Sequence, residues 1–304
     1  MTRIAFVIAI ASASLDEDMP PLLAACDRAG LAAEVRAWDD DTVSWARYDA
    51  VVLRSPWDYH LRREAFLHWC DRVAGATRLL NPPEVVRWNT DKRYLADLEA
   101  AGVAVVPTRF VAPDAEPLPA VDEAFAAFAD AAEIVVKPTV SAGSHDTQRY
   151  RRTQGLAAAN QVGTLLDAGR DAMLQPYLDA VDVRGETALL YFDGVFSHAI
   201  RKAALLRPDA TGLDHTALPD AIAARTPDDD ERRAGEAVLA ALHARTGAPL
   251  PYVRIDLIRD ADGAPRLLEL ELTEPSLFFV QAPDAADRFV AALQRALTAA
   301  EPPQ

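Results

Sequence analysis

Cysteine is nearly missing from this 304-residue chain: Cys26 and Cys70 are its two, far apart and in no CxxC pair. That excludes a disulfide-stapled scaffold and a thiol metal cluster, and reads as buried, reduced thiols in a cytoplasmic protein. Positive charge is scarce too. Lys and Arg number 31 against 46 Asp and Glu, a formal net charge of −15. Such a surface argues against nucleic acid or anionic membrane as partner, while leaving room for a local basic pocket. No apolar run is long enough to span a bilayer. The run Ile4–Ala11 has one basic residue before it and an acidic cluster after it, so it reads as a buried first strand and not a secretory leader. Internal repeats are absent. So are a GxxxxGK[ST] loop, an HRD and DFG set in kinase order, an EF-hand loop, a nucleophile triad and metal-ligand spacing among the six histidines.

What is present alternates. Arg3–Ala9, Ala33–Trp38 and Ala50–Arg54 read as strands, with helices at Met19–Ala29 and Arg63–Val73 between and after them. That order predicts an α/β lobe with a parallel sheet, whose carboxyl-end loops, RSPWDYH (Arg54–His60) among them, carry binding groups. Asn89 or Thr90 would cap a helix ending at Gly102. Lys92 and Arg93 then sit in its first turn, where the dipole disfavours cations unless an anion lies nearby. One helix is expected within Pro107–Ala132. EIVVKP (Glu133–Pro138) reads as a strand ending in Lys137, followed by the small-residue loop SAGSHDT and a polar strand near Gln148–Arg152. A helix follows at Leu156–Ala168. MLQPYL (Met173–Leu178) contains a proline and reads as an edge or link. Asp193-Gly194 marks a hairpin between Thr187–Phe192 and Val195–Arg201. Ala203–Thr226 reads as a loop or flap, Pro227–Arg245 and Asp284–Ala299 as helices, and Glu301–Gln304 as a tail.

The richest stretch is Arg266–Phe279, RLLELELTEPSLFF, in which Glu269, Glu271 and Glu274 interrupt a run of leucines. Tyr252–Arg259 and Pro265–Leu272 are β-rich runs about Asp262-Gly263. A two-residue type I′ turn there would set Asp256 opposite Glu269 and Arg254 opposite Glu271. Ile255, Leu257, Leu268 and Leu270 would share the core face. Opposed carboxylates destabilise a strand pair by a few tenths to ~1 kcal/mol. A hard divalent cation reverses that sign, and oxygen ligands without Cys or His favour Mg²⁺, which completes its shell with water and phosphate. A solvated hairpin face remains the plain alternative. If a nucleotide is held there, Lys92, Lys137 and Arg201 are the candidate phosphate partners.

Taken in order, NTDKRYL, VVKP, SAGS, QPYL, RIDLI and LELELTEPS resemble the ATP-grasp superfamily, in its glutathione-synthetase-like branch. RSPWDYH, NPPEVVRWNTDK, FSHAIRK and ELTEPSLFF are especially similar to the O-ureido-serine cyclo-ligases of cycloserine biosynthesis. The resemblance covers nearly the whole chain. It implies an N-terminal α/β substrate domain (1–88), a central lid lobe (89–174) and a C-terminal catalytic lobe (175–304), with ATP clamped between the last two. It implies Lys92 and Lys137 on the phosphates and Ser141, Gly143 and Ser144 in a mobile loop over them. Gln175, Tyr177 and Leu178 would meet adenine; Glu186, with Asp182 as competitor, would bind ribose. Asp256, Glu269 and Glu271 would hold Mg²⁺, two ions being expected. The third position is more often Asn in relatives, and Arg254 would offset the extra charge.

The chemistry this implies is ATP-dependent carboxylate–amine ligation through an acyl-phosphate. Phosphoryl transfer needs positioning and charge neutralisation more than a covalent protein group. Arg254 and Arg201 are the candidate catalytic groups, since guanidinium pairs bidentately with phosphate or carboxylate. Arg54, Trp57, Thr273, Glu274 and Ser276 are the candidate substrate contacts. The expected substrate is a small amino-acid-like carboxylate such as O-ureido-serine, closed into a ring. An intermolecular dipeptide-type ligase, a kinase and a non-catalytic nucleotide-binding module stand as alternatives, and a homodimer is an open possibility.

Overall fold

The computed structural model describes residues 2–204, 206 and 221–298, and these form three sheets. The first lobe runs β1 (Arg3–Ile8), α1 (Met19–Arg28), β2 (Ala32–Ala37), β3 (Ala50–Ser55), α2 (Arg63–Ala74) and β4 (Arg78–Leu80). Its strands are all parallel in the order β2-β1-β3-β4. β1 and β3 are almost wholly apolar because helices cover both faces. Both cysteines pack there as free thiols, and burial, helped by Asp27, pushes Cys26 up to about 12. The order reverses between β1 and β3, which brings together the loops that follow them.

α3 (Pro83–Asn89) and α4 (Tyr94–Ala100) replace the single expected helix. Asn89 caps nothing: its amide donates to the Leu270 carbonyl at 2.7 Å and its oxygen accepts from the Leu272 N–H at 2.8 Å. Lys92 and Arg93 therefore lie in the turn between two helices, outside any first turn. The central lobe follows as β5 (Arg109–Val111), α5 (Pro117–Ala127), β6 (Glu133–Pro138), β7 (Gln148–Arg151), α6 (Gly155–Asp167) and β8 (Ala172–Pro176). Its antiparallel order is β5-β8-β6-β7. β8 is thus interior and not an edge. Tyr177 donates its N–H to Glu133, so by alternation Pro176 turns its missing N–H toward the β5 side. There β5 has already ended, its pairing running only as far as Leu174. The expected divide at 174/175 falls inside β8.

The last lobe comprises α7 (Ala180–Arg184), β9 (Glu186–Phe192), β10 (Val195–Lys202), β11 (Ile222–Arg225), α8 (Asp229–Thr246), β12 (Tyr252–Arg259), β13 (Pro265–Glu271) and α9 (Ala285–Thr298). Its sheet order is β11-β10-β9-β12-β13. Asp193 and Gly194 take φ of 54° and 73°, as a two-residue I′ turn requires. Most of the expected flap over Ala203–Thr226, and the tail, lie outside the described residues; the described end of the flap, Ile222–Arg225, is β11 on β10. α8 covers one face of the sheet, Val238 and Leu242 packing on Leu189, Val253 and Ile255. α9 covers the other. There Phe289 and Leu293 share a core with Phe192 and also with Leu22 and Cys26 of α1, so the first and last helices close one hydrophobic unit. No described helix is long and apolar enough to cross a membrane.

The charged hairpin has the expected pairs, Asp256 opposite Glu269 and Arg254 opposite Glu271. Its turn is not the expected one. Arg259 pairs with Pro265, and the loop is closed by Asp260, whose N–H reaches the Ala264 carbonyl and whose carboxylate accepts from the Asp262 and Ala264 N–H groups. A bulge between Asp256 and Leu257 then restores the register. It sets Leu267 opposite Leu257 in the core and turns Leu268, expected in that core, toward the interlobe cavity.

Candidate active site

A cavity of about 550 Å³ lies between the sheets of the central and last lobes. One end is apolar. Val135 and Pro176 from the central lobe face Ile258 and Leu268 from the last, with Tyr177 and Leu178 beside them. The Tyr177 ring lies 3.4 Å under the Arg149 guanidinium, and its hydroxyl donates to Asp182. Asp182 is thereby engaged, and Glu186 is the acid of that pair on the cavity wall. The Gln175 amide is also occupied, donating to the Thr108 hydroxyl at 2.8 Å.

The other end is charged. Lys92 Nζ sits 3.0 Å from Glu269 Oε1 and donates to the Ser141 carbonyl at 2.9 Å. Lys202 Nζ lies 2.7 Å from both Glu186 Oε2 and Asp256 Oδ2. Arg254 spans Asp256, at 3.0 and 2.9 Å through Nε and Nη2, and Glu271. Lys137 also lines this end, and its ammonium has no ion pair among the described residues. Ser141, Gly143 and Ser144 form a lip over it.

These neighbours tune one another. Burial alone would neutralise Asp256, but Arg254 and Lys202 outweigh it and hold the carboxyl at about 2. Glu271 is pushed up to about 7 by burial, with Asp256 and Glu269 adding repulsion. Glu274 reaches about 8 by burial and the nearby Glu271. Lys137 falls to about 8 through burial, aided by Lys92 and Lys202. Burial also acts against the charge of Lys92, yet Glu269 more than compensates and raises it. Perturbation of this density marks a functional site.

Among the described residues, no three Asp, Glu, His or Cys side chains stand as a ready cation cage. The carboxylates face Lys and Arg instead. The donor set is nonetheless all hard oxygen, with Glu269 and Glu271 on the wall and Asp256 buried just beneath. That fits Mg²⁺, which needs only one or two carboxylates when phosphates complete its shell.

Several expected residues lie elsewhere. Arg201 turns away and donates to the carbonyls of Arg184 at 2.9 Å and Val183 at 3.1 Å. An unbroken ladder from the Asp193-Gly194 turn would set Arg201 opposite Glu186; a bulge between Phe196 and His198 makes Lys202 the partner. Arg54 is buried off the cavity, 3.6 Å from Asp18 and over the Phe289 ring. Asp18 in turn accepts the N–H groups of Leu277, Phe278 and Phe279 at 2.5, 3.1 and 2.7 Å. Arg54 thus supports the loop after β13 and does not line the cavity. Thr273 is buried against Asn89. Trp57, Glu274 and Ser276 do line the wall, the Trp57 indole N–H donating to the Glu274 carbonyl at 3.0 Å.

Residues 4–81 match the family described as D-cycloserine synthetase DcsG, N-terminal domain. The chain is 49% identical to the cycloserine biosynthesis protein DcsG of Streptomyces lavendulae over 299 residues, 98% of this chain and 99% of that one. This chain belongs to the D-cycloserine synthetase family. A crystal structure of D-cycloserine synthetase DcsG superposes with a TM-score of 0.92 at 48% identity, covering 97% of this chain and all of the other. A D-alanine–D-alanine ligase from Bacillus anthracis superposes at 0.67 with 16% identity, covering 98% of this chain and 97% of that one, a likeness of fold. The protein is a ligase of this synthetase family, and its mixed α/β fold is the one that ATP-grasp ligases share. Two residues of this synthetase site escaped the sequence reading. Lys202 was hidden by the β10 bulge. Tyr59, buried with the Glu274 carboxyl acting on its hydroxyl, was signalled only by its place two residues after Trp57.

Proposed function

We propose that this synthetase closes an O-ureido-serine-like amino acid into a ring, using Mg-ATP. One observation carries the reading: the charged end of the cavity adjoins a small wall of Trp57, Glu274 and Ser276, so that an activated carboxyl and its acceptor nitrogen share one compartment. The substrate carboxylate oxygen attacks the γ-phosphorus of ATP and ADP leaves. The side-chain nitrogen of the same molecule then attacks the acyl carbon, phosphate departs with the bonding pair, and the nitrogen gives up its proton. Lys92, Lys137 and Lys202 neutralise the phosphates, and Arg254 offsets charge on the transferring group. Ser141, Gly143 and Ser144 bring small residues over the phosphates and keep water from the acyl-phosphate. The apolar slot of Val135, Pro176, Tyr177, Ile258 and Leu268 suits adenine, with backbone groups of Gln175, Tyr177 and Leu178 at its edge and Glu186 toward ribose. Asp256, Glu269 and Glu271 would hold Mg²⁺, two ions in our reading, which would supply charge neutralisation on the phosphates. Glu274 would bind the substrate's ammonium or urea-like group. Two buried free thiols suit a reducing cytoplasm.

The test is ADP release with O-ureido-serine offered alone and with amino acids in pairs, the products read by mass spectrometry. Release with the single substrate and a dehydrated ring is the expected result. Release only with pairs would make the enzyme an intermolecular ligase, and a product that keeps the phosphate would make it a kinase. Light scattering distinguishes a homodimer from a monomer.

A further inference from the structure

Two histidines outside this chemistry meet across a lobe boundary. His60 belongs to the loop after β3, and His145 to the loop between β6 and β7 that carries Ser141, Gly143 and Ser144. Their rings lie 5.3 Å apart. His60 Nδ1 is 3.0 Å from the Trp57 carbonyl; that oxygen can only accept, so the ring proton sits on Nδ1. Its Nε2 is buried with no hydrogen-bond partner. His145 Nδ1 is 3.0 Å from Asp146 Oδ2, which Arg170 holds from behind at 2.6 Å. Val140 and Ala142 of the same loop pack on the core of the first lobe. The loop is held in unusual backbone: Gly143, Ser144 and Asp146 have φ of 58°, 56° and 56°. Such a segment keeps its shape only when its surroundings fix it.

We propose that His60 and His145 form a positioning clasp that holds the 141–147 loop down over the ATP phosphates, and that protonation of the His60 ring, at its buried Nε2, releases it. The inference rests on the ATP reading above. The clasp ties the phosphate cover to the substrate wall, because His60 is bonded to Trp57 and Trp57 to Glu274. The groups facing the pair are Asp58 and the Trp57 carbonyl on the first lobe, and Asp146 and Arg170 on the central one. Burial pulls His60 below the ordinary histidine value; the Trp57 carbonyl and Asp58 oppose this, while His145 and Arg170 add to it. A lowered value in the closed state means that closure binds fewer protons than opening. The clasp therefore contributes fully above about pH 6.5, the free histidine value, and weakens as pH falls below it.

The experiment measures KM for Mg-ATP and kcat separately at about pH 7.5 and about pH 5.5 for the wild-type enzyme, His60→Asn and His145→Lys. Asparagine keeps an N–H for the Trp57 carbonyl but cannot titrate; lysine supplies a permanent charge. On acidification KM for ATP should rise about fivefold more in the wild type than in His60→Asn, whose remaining rise reports Glu271, and the weakened binding should be present at both pH values in His145→Lys. The clasp is overturned if His60→Asn keeps the whole wild-type acid rise, or if His145→Lys has wild-type KM at the higher pH. If wild-type enzyme neither binds nor turns over Mg-ATP, the nucleotide reading itself fails and the clasp falls with it; intact ATP turnover with unchanged variants sinks the clasp alone.

Discussion

Lys137 brings an ammonium into a wall from which water is nearly excluded, and among the described residues no carboxylate stands within ion-pair distance of it, although Glu269 acts on its charge from farther off. A buried charge without a close partner destabilises a fold, and the phosphate role proposed above would supply the missing anion. Lys137→Met should lower kcat/KM for Mg-ATP at least about a hundredfold. The urea midpoint should stay level or rise, since methionine fills similar volume without the desolvation cost. The sign of its pH dependence follows from a folded value near 8 against an unfolded value of about 10.4: the apo-enzyme gains stability from this group as pH climbs across that interval, and the mutant loses the slope. Glu271 works the other way. Burial raises it to about 7, and a carboxyl must lose its proton to hold a metal. Mg²⁺ affinity with a non-hydrolysable ATP analogue should therefore rise between about pH 6 and about pH 8 with proton release, measured by calorimetry. Glu271→Gln should abolish that slope; a slope that persists would move the titration to another group.

At the scale of elements, alternation and turn chemistry were legible and bulges were not. The charged face of the β12–β13 hairpin came out with the expected pairs although its turn did not, because the longer Asp260–Ala264 loop and the bulge that exposes Leu268 cancel. The same kind of bulge in β10 had no compensating partner, and there Arg201 and Lys202 exchanged places. A bulge is set by packing across the sheet and leaves no local composition signal in a run such as VFSHAIRK. Asn89, Arg54 and Thr273 were misjudged for a related reason: their partners, Leu270, Asp18 and Asn89 itself, lie at long sequence separation. By contrast, every residue matched to nucleotide contacts through ordered motifs does line the cavity. Gly185, which joins α7 to β9, offers a test at this scale. Its φ is +72°, and a Cβ would come within 2.4 Å of the Lys202 carbonyl. Gly185→Ala should cost about 2–4 kcal/mol in urea unfolding and, by displacing Lys202, raise KM for ATP. A wild-type midpoint would mean that the β10 end yields freely.

For the whole molecule, the first and last lobes are tied by a shared core and by buried polar links. Asp18, from the first lobe, collects three N–H groups of the 277–279 turn and faces Arg54. Asp18→Ala would leave that guanidinium buried without its carboxylate, and should destabilise by about 3–5 kcal/mol. Lowered kcat should accompany it, since Glu274 and Ser276 stand on the same loop. Differential scanning calorimetry and steady-state rates on one preparation read both effects; full stability with lost activity would assign Asp18 to substrate instead.

The shared core of α1 and α9 has a consequence for how the protein is made. A ribosome delivers Leu22 and Cys26 early, but Phe289 and Leu293, which pack with them, emerge only much later. The first lobe must wait, its parallel strands formed but one flank uncovered, for a helix synthesised some 260 residues later, an interval of about 13–52 s at ordinary elongation rates. It cannot complete itself in advance, and nascent chains halted before Ala285 should be the species that chaperones hold and proteases clear.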